Sequence, residues 1–105
     1  MGDELRVSRV IDLASYQADA IVSRIVLKSD AGNVTLFAFD AGQELSEHNA
    51  PYDALVQVVE GEAAITVAGR PYRVGTGEML LMPARQPHAL KAVSRFKMLL
   101  TMIRS

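Results

Sequence analysis

Only two imidazoles occur in the 105 residues, His48 and His88, and they offer the widest choice of chemistry in the chain. A neutral imidazole can ligate a transition metal, accept a proton as general base, or hydrogen-bond a polar ligand. Both lie in stretches punctuated by glycine and proline, His48 between Gly42 and Pro51, His88 after Gly77, Pro83 and Pro87. For a divalent ion two imidazoles are too few, since protein zinc sites draw on three or four ligands. Asp53 is the first candidate for a third metal donor, and Glu47, Asn49, Tyr52 and Gln57 are the other oxygen donors near in sequence. Strand alternation turns Asp53 away from the side that carries Ala54, unless a bulge around Pro51 re-aims it. Tyr52 and Arg85 are further ligand-binding candidates, the first through its hydroxyl and the second through a fork that grips a carboxylate. Each has a plainer reading: Tyr52 as a packing residue with a wet tip, Arg85 as a solvated loop side chain. Cysteine is absent, so thiolate ligands, disulfides and a cysteine nucleophile are excluded.

The elements that must position these residues read as one strand after another. β-Branched and aromatic runs at 21–27, 34–39, 54–59, 63–67, 72–74, 79–82, 88–93 and 96–103 alternate with turn signals such as Asp30-Ala31-Gly32-Asn33 and Ala68-Gly69-Arg70-Pro71. Such spacing predicts an antiparallel all-β sandwich or barrel. Residues 10–20 form a helical turn or part of an N-terminal arm, so the chain divides into an arm at 1–20 and a barrel at 21–105, one domain in all. Alternation puts Ala54, Val56 and Val58 on one face and Leu55, Gln57 and Val59 on the other, which leaves Gln57 in solvent. The methionines at 79, 82, 98 and 102 read as core filler rather than as soft-metal ligands.

The glycines, prolines and histidines resemble the two motifs of the cupin superfamily. The first, G-x5-H-x-H-x3-4-E-x6-G, is met by Gly42, His48 and Gly61, with Ala50 at the second histidine and Ala54 at the glutamate. The second, G-x5-P-x-G-x2-H-x3-N, is met by Gly77, Pro83 and His88, with Arg85 at the middle glycine and Ala92 at the asparagine. The resemblance implies a double-stranded β-helix, or jelly-roll barrel, of antiparallel sheets, and it resembles most the small conserved-barrel cupins. It also implies a pocket at His48 and His88. Two of the four family metal ligands are kept, so His48, His88 and Asp53 are the metal candidates, for iron, manganese, nickel or zinc. Three activities are compatible with that: a small-molecule-binding barrel, a metal-dependent dioxygenase or isomerase, and a metal-free enzyme with a histidine base like the superfamily's sugar epimerases.

Charge and hydropathy restrict the partners. Eleven basic and twelve acidic residues nearly cancel and are scattered, so nucleic acid is not an expected partner. No apolar run approaches the roughly 18 residues of a membrane span. MGDELRVSRV has acidic residues and no apolar core, so a secretory signal is not expected and the cytoplasm is the default compartment. The strands at 21–27 and 96–103 are apolar on both faces, which asks for a cover and points to a homodimer.

Overall fold

Alternating apolar residues drive almost every segment of the chain into antiparallel strands that bury one side. The computed structural model describes residues 6–104. Its strands are β1 (Ile21–Ser29), β2 (Gly32–Phe39), β3 (Glu44–His48), β4 (Tyr52–Glu60), β5 (Glu62–Val67), β6 (Arg70–Gly75), β7 (Met79–Met82), β8 (His88–Lys91) and β9 (Phe96–Arg104). They form a five-stranded sheet in the order β1-β2-β9-β4-β7 and a four-stranded sheet in the order β3-β8-β5-β6, every pairing antiparallel. This is the double-stranded β-helix. Among the described residues no helix is long and apolar enough to cross a membrane.

The core lies between the sheets. Ala54, Val56 and Val58 of β4 face Ile65 and Val67 of β5, Met82 of β7, Leu90 of β8 and Met98 of β9, all buried. Phe39 and Phe96 stack there with ring centroids 4.5 Å apart. Gln57, opposite in phase, is exposed. Met79 departs from the expectation that it fills the core. It pairs with Gln57 across β7 and β4, and this register carries it to the outer, exposed face.

Two glycines are required by the packing. Gly61, between β4 and β5, has φ +82°, and a Cβ there would strike the Arg95 carbonyl oxygen and sit 2.9 Å from Phe96 Cβ. Gly32 opens β2 at φ +155°, where a Cβ would run into the Met102 carbonyl oxygen.

Residues 6–20 lie across part of the outer face of the five-stranded sheet. Ala14, with Leu13 and Tyr16, packs on Leu36, Ala38, Val22, Val59 and Leu99. Polar contacts fix this segment at several points. Lys97 Nζ, buried, donates to the Ile11 carbonyl at 2.6 Å, and the Tyr16 hydroxyl donates to Glu60 at 2.5 Å. Asp40 accepts both the Asp19 N–H and the Arg95 guanidinium at 2.8 Å. The Tyr16 ring also lies under two cations, Arg95 at 5.1 Å and Lys97 at 4.9 Å. Burial, then the hydrogen bond to Glu60 and its negative charge, raise the Tyr16 phenol above its ordinary pKa, with Arg95 opposing.

Candidate functional site

β3 and β8 bring the two histidines face to face. His48 and His88 are direct partners in the register of these strands, where the pairing shifts between Leu45 and His48. The rings meet edge to face, centroids 4.2 Å apart and planes inclined by 66°. In each, Nδ1 lies against a backbone carbonyl two residues earlier, Ser46 for His48 at 2.9 Å and Gln86 for His88 at 3.2 Å. A carbonyl only accepts, so Nδ1 carries the proton and Nε2 is the basic nitrogen of both rings. This is the orienting contact that metal-binding and catalytic imidazoles use to fix a tautomer. His48 is exposed and His88 half-buried. Burial lowers the pKa of His88 below that of an ordinary imidazole, the nearby His48 adds to the shift, and the Gln86 carbonyl works against it.

Backbone bonds between two loops hold the pair's surroundings. The Arg85 N–H donates to the Ala50 carbonyl at 2.9 Å, and Asp53 Oδ1 accepts the Ala84 N–H at 2.9 Å. The segment that leaves His48 is thereby tied to the loop that leads to His88. The Ala68 N–H donates to the Pro87 carbonyl at 2.8 Å, which attaches the same loop to the turn after β5.

The sequence candidates therefore separate. Tyr52 opens β4 half-buried, in phase with the inward-facing Ala54. Arg85 is exposed at the tip of the 83–86 turn with φ +66°. Asp53 lies out of phase with the inward face. It is exposed, opposite in phase to Ala54, and its carboxylate caps the Ala84 N–H. Among the described residues no three His, Asp or Glu side chains converge closely enough to hold a metal ion. The residues present thus do not complete a site for iron, manganese, nickel or zinc. Glu47 borders a depression of about 430 Å³ on the outer face of the small sheet, with Ser46, Ala64, Ala89 and Lys91. The carbonyls of Ser46 and Gln86, which orient the rings, were beyond sequence reasoning because a backbone group leaves no mark on residue type.

The comparisons with known proteins agree with this architecture. Residues 35–104 match the family model described as Cupin domain, so the chain belongs to the cupin family. A conserved protein of unknown function from Streptococcus pyogenes superposes with a TM-score of 0.92 at 35% identity, over 98% of this chain and 90% of that one. A cupin superfamily protein from Desulfitobacterium hafniense gives a TM-score of 0.91 at 27% identity, over 97% of this chain and 94% of that one. Salicylate 1,2-dioxygenase from Pseudaminobacter salicylatoxidans, 19% identical, shares the fold over 82% of this chain and 27% of its own, with a TM-score of 0.74. No curated protein sequence matches the chain.

Proposed function

We propose that the chain binds a small molecule at His48 and His88, with Tyr52 and Arg85 at the edges of the site, as a cytoplasmic homodimer. The observation that carries this reading is the contact of each Nδ1 with a backbone carbonyl, from which the proton is assigned to Nδ1 and Nε2 of each ring is left as the acceptor. A ligand with a hydroxyl, amide or acid proton suits two adjacent acceptors, and the lowered pKa of His88 keeps its ring neutral for that role near pH 7.

A second reading is favoured by the same nitrogens. Two free Nε2 atoms are also the start of a metal site, and a metal-dependent enzyme of dioxygenase or isomerase type would need the remaining donors from the ligand or from water. Native mass spectrometry of the purified chain, with elemental analysis, separates the two. A bound organic mass without stoichiometric metal, lost in His48→Ala and His88→Ala, supports the first reading. Metal near one per chain, lost in the same variants, supports the second. Retention of either species in both variants refutes a site at the histidines.

A further inference from the structure

Opposite the histidine pair, the five-stranded sheet presents sulfur. His48 pairs with His88, and His88 with Val67, so the three share the inner face of the small sheet with the buried Ile65 and Leu90. In the larger sheet Ala54 pairs with Met82 on one side and with Met102 on the other, and this row points inward as well. Short connections bring the two rows to the same end of the barrel. Residues 49–51 join His48 to Tyr52, in phase with Ala54, and residues 83–87 join Met82 directly to His88. These connections are bonded to each other, Arg85 to Ala50 and Ala84 to Asp53. Packed sheets stand about 10 Å apart. Ala54 and Val67 are too short to close that gap, whereas the imidazoles and thioethers beside them are long enough to meet across it.

We infer that His48, His88, Met82 and Met102 form a site for a soft monovalent cation, Cu(I), held by the two Nε2 atoms and the two thioether sulfurs. The inference rests on the metal reading of the histidine pair and deepens it by naming the ion and the further donors. Clustering is what these methionines lack in the sequence, and strand register supplies it by setting Ala54 between them. Position 54 is where the family pattern has its carboxylate, so an alanine flanked by two thioethers changes both the charge and the softness of the donors. Two neutral imidazoles and two thioethers carry no charge, and among the described residues no carboxylate joins the histidines in a cluster that could hold a metal. A neutral donor set suits a singly charged ion, since the cost of taking an ion out of water rises with the square of its charge. Thioethers are also soft donors, which select Cu(I) over harder divalent ions. Methionine is unbranched and adaptable, so its sulfur can turn toward an ion without a shift of the strand. The other two methionines of the sheet stand apart: Met79 lies on the outer face, and Met98 pairs with Val58, deeper in the barrel.

Anaerobic titration of the full chain with Cu(I) under ascorbate, in competition with bicinchoninate, measures the affinity, and X-ray absorption on the loaded chain identifies the donors. The expected result is about one Cu(I) per chain with nitrogen and sulfur around it, and an affinity that falls about tenfold or more in Met82→Leu and in Met102→Leu. His48→Ala and His88→Ala should weaken it likewise, while Met79→Leu and Met98→Leu leave it unchanged. Leucine nearly matches methionine in volume, circular dichroism checks the fold of each variant, and the absorption spectrum of the parent chain decides if a variant does not fold. Copper held by nitrogen alone, at full affinity in both Met82→Leu and Met102→Leu, overturns the thioether donors and leaves a metal at the histidines standing. Copper retained in both histidine variants overturns the site. A chain that takes no Cu(I) from bicinchoninate overturns it too, and failure to bind zinc, nickel, iron or manganese as well ends the metal reading with it.

Discussion

Placing a carboxylate at Ala54, the position of the family motif's glutamate, tests whether this inward position faces the histidine pair and can serve metal chemistry. Ala54 is 4% exposed, lies between Met82 and Met102 in the strand register, and has only apolar neighbours in the core cluster. In Ala54→Glu a carboxylate would enter that surface with no cation or donor to meet it, which costs about 3–5 kcal/mol. A domain of this size has on the order of 5–15 kcal/mol of stability, so the variant should fold, with its unfolding midpoint in urea clearly lowered. The loss should shrink as the pH falls toward 5, because a buried carboxyl takes a proton more readily than one in the unfolded chain, and the folded state then gains protons and stability. Zinc or nickel should restore part of it. A metal present at a hundred times its dissociation constant adds about 2.7 kcal/mol, and the gain should vanish in Ala54→Glu/His88→Ala. Urea titrations with and without metal measure both effects. A loss under about 1 kcal/mol would mean that the side chain escapes to water and that position 54 does not face the site. Equal rescue without His88 would mean that the metal is held elsewhere.

Gly61→Ala should cost about 2–4 kcal/mol, from a left-handed backbone and an overlap with the Arg95 carbonyl and Phe96, and a urea midpoint within error of the parent would contradict the packing described for that turn. Because the folded chain holds the Tyr16 proton more tightly than the unfolded chain does, stability should fall as the pH rises past the ordinary phenol range near 10. Tyr16→Phe should flatten that alkaline loss and speed amide exchange at residues 10–16, and an unchanged alkaline slope would show that Tyr16 is not its source.

The strands with a full apolar side were legible in the sequence, and the one strand that escaped was β3. Its sequence, Glu-Leu-Ser-Glu-His, offers a single inward apolar residue, Leu45, because it is an edge strand whose other side chains face water. A polar edge is how a sheet discourages unwanted pairing, and it also erases the signal that marks a strand. His48 ends that strand, so the motif located the residue while periodicity could not locate its element. Met79 departed from its expected place for a related reason, and the burial of Lys97 shows the same effect. Hydropathy assigns methionine to the interior and lysine to water, but the register puts Met79 outside, and residues 6–20 cover Lys97 and hand its ammonium a carbonyl. Burial here depends on what crosses the sheet, and no window of local sequence contains that information.

The candidate site follows the same division between what residue types record and what backbone supplies. Motif spacing pointed to a pocket at both imidazoles, and the structure sets their rings 4.2 Å apart on paired strands. The rings are oriented by main chain, the carbonyls of Ser46 and Gln86, while the two loops are tied by the Arg85 N–H on the Ala50 carbonyl and by the Ala84 N–H on the Asp53 carboxylate. Asp53 looked like a ligand because carboxylates are ligands, yet it is exposed, opposite in phase to Ala54, and one of its oxygens caps the Ala84 N–H. The donors that the family pattern would add fall at Ala50 and Ala54, where no side chain can coordinate. In the proposed ligand-binding reading, the two imidazole acceptors select by hydrogen bonding, so specificity would fall to the protons a ligand brings and to the loop residues that surround it.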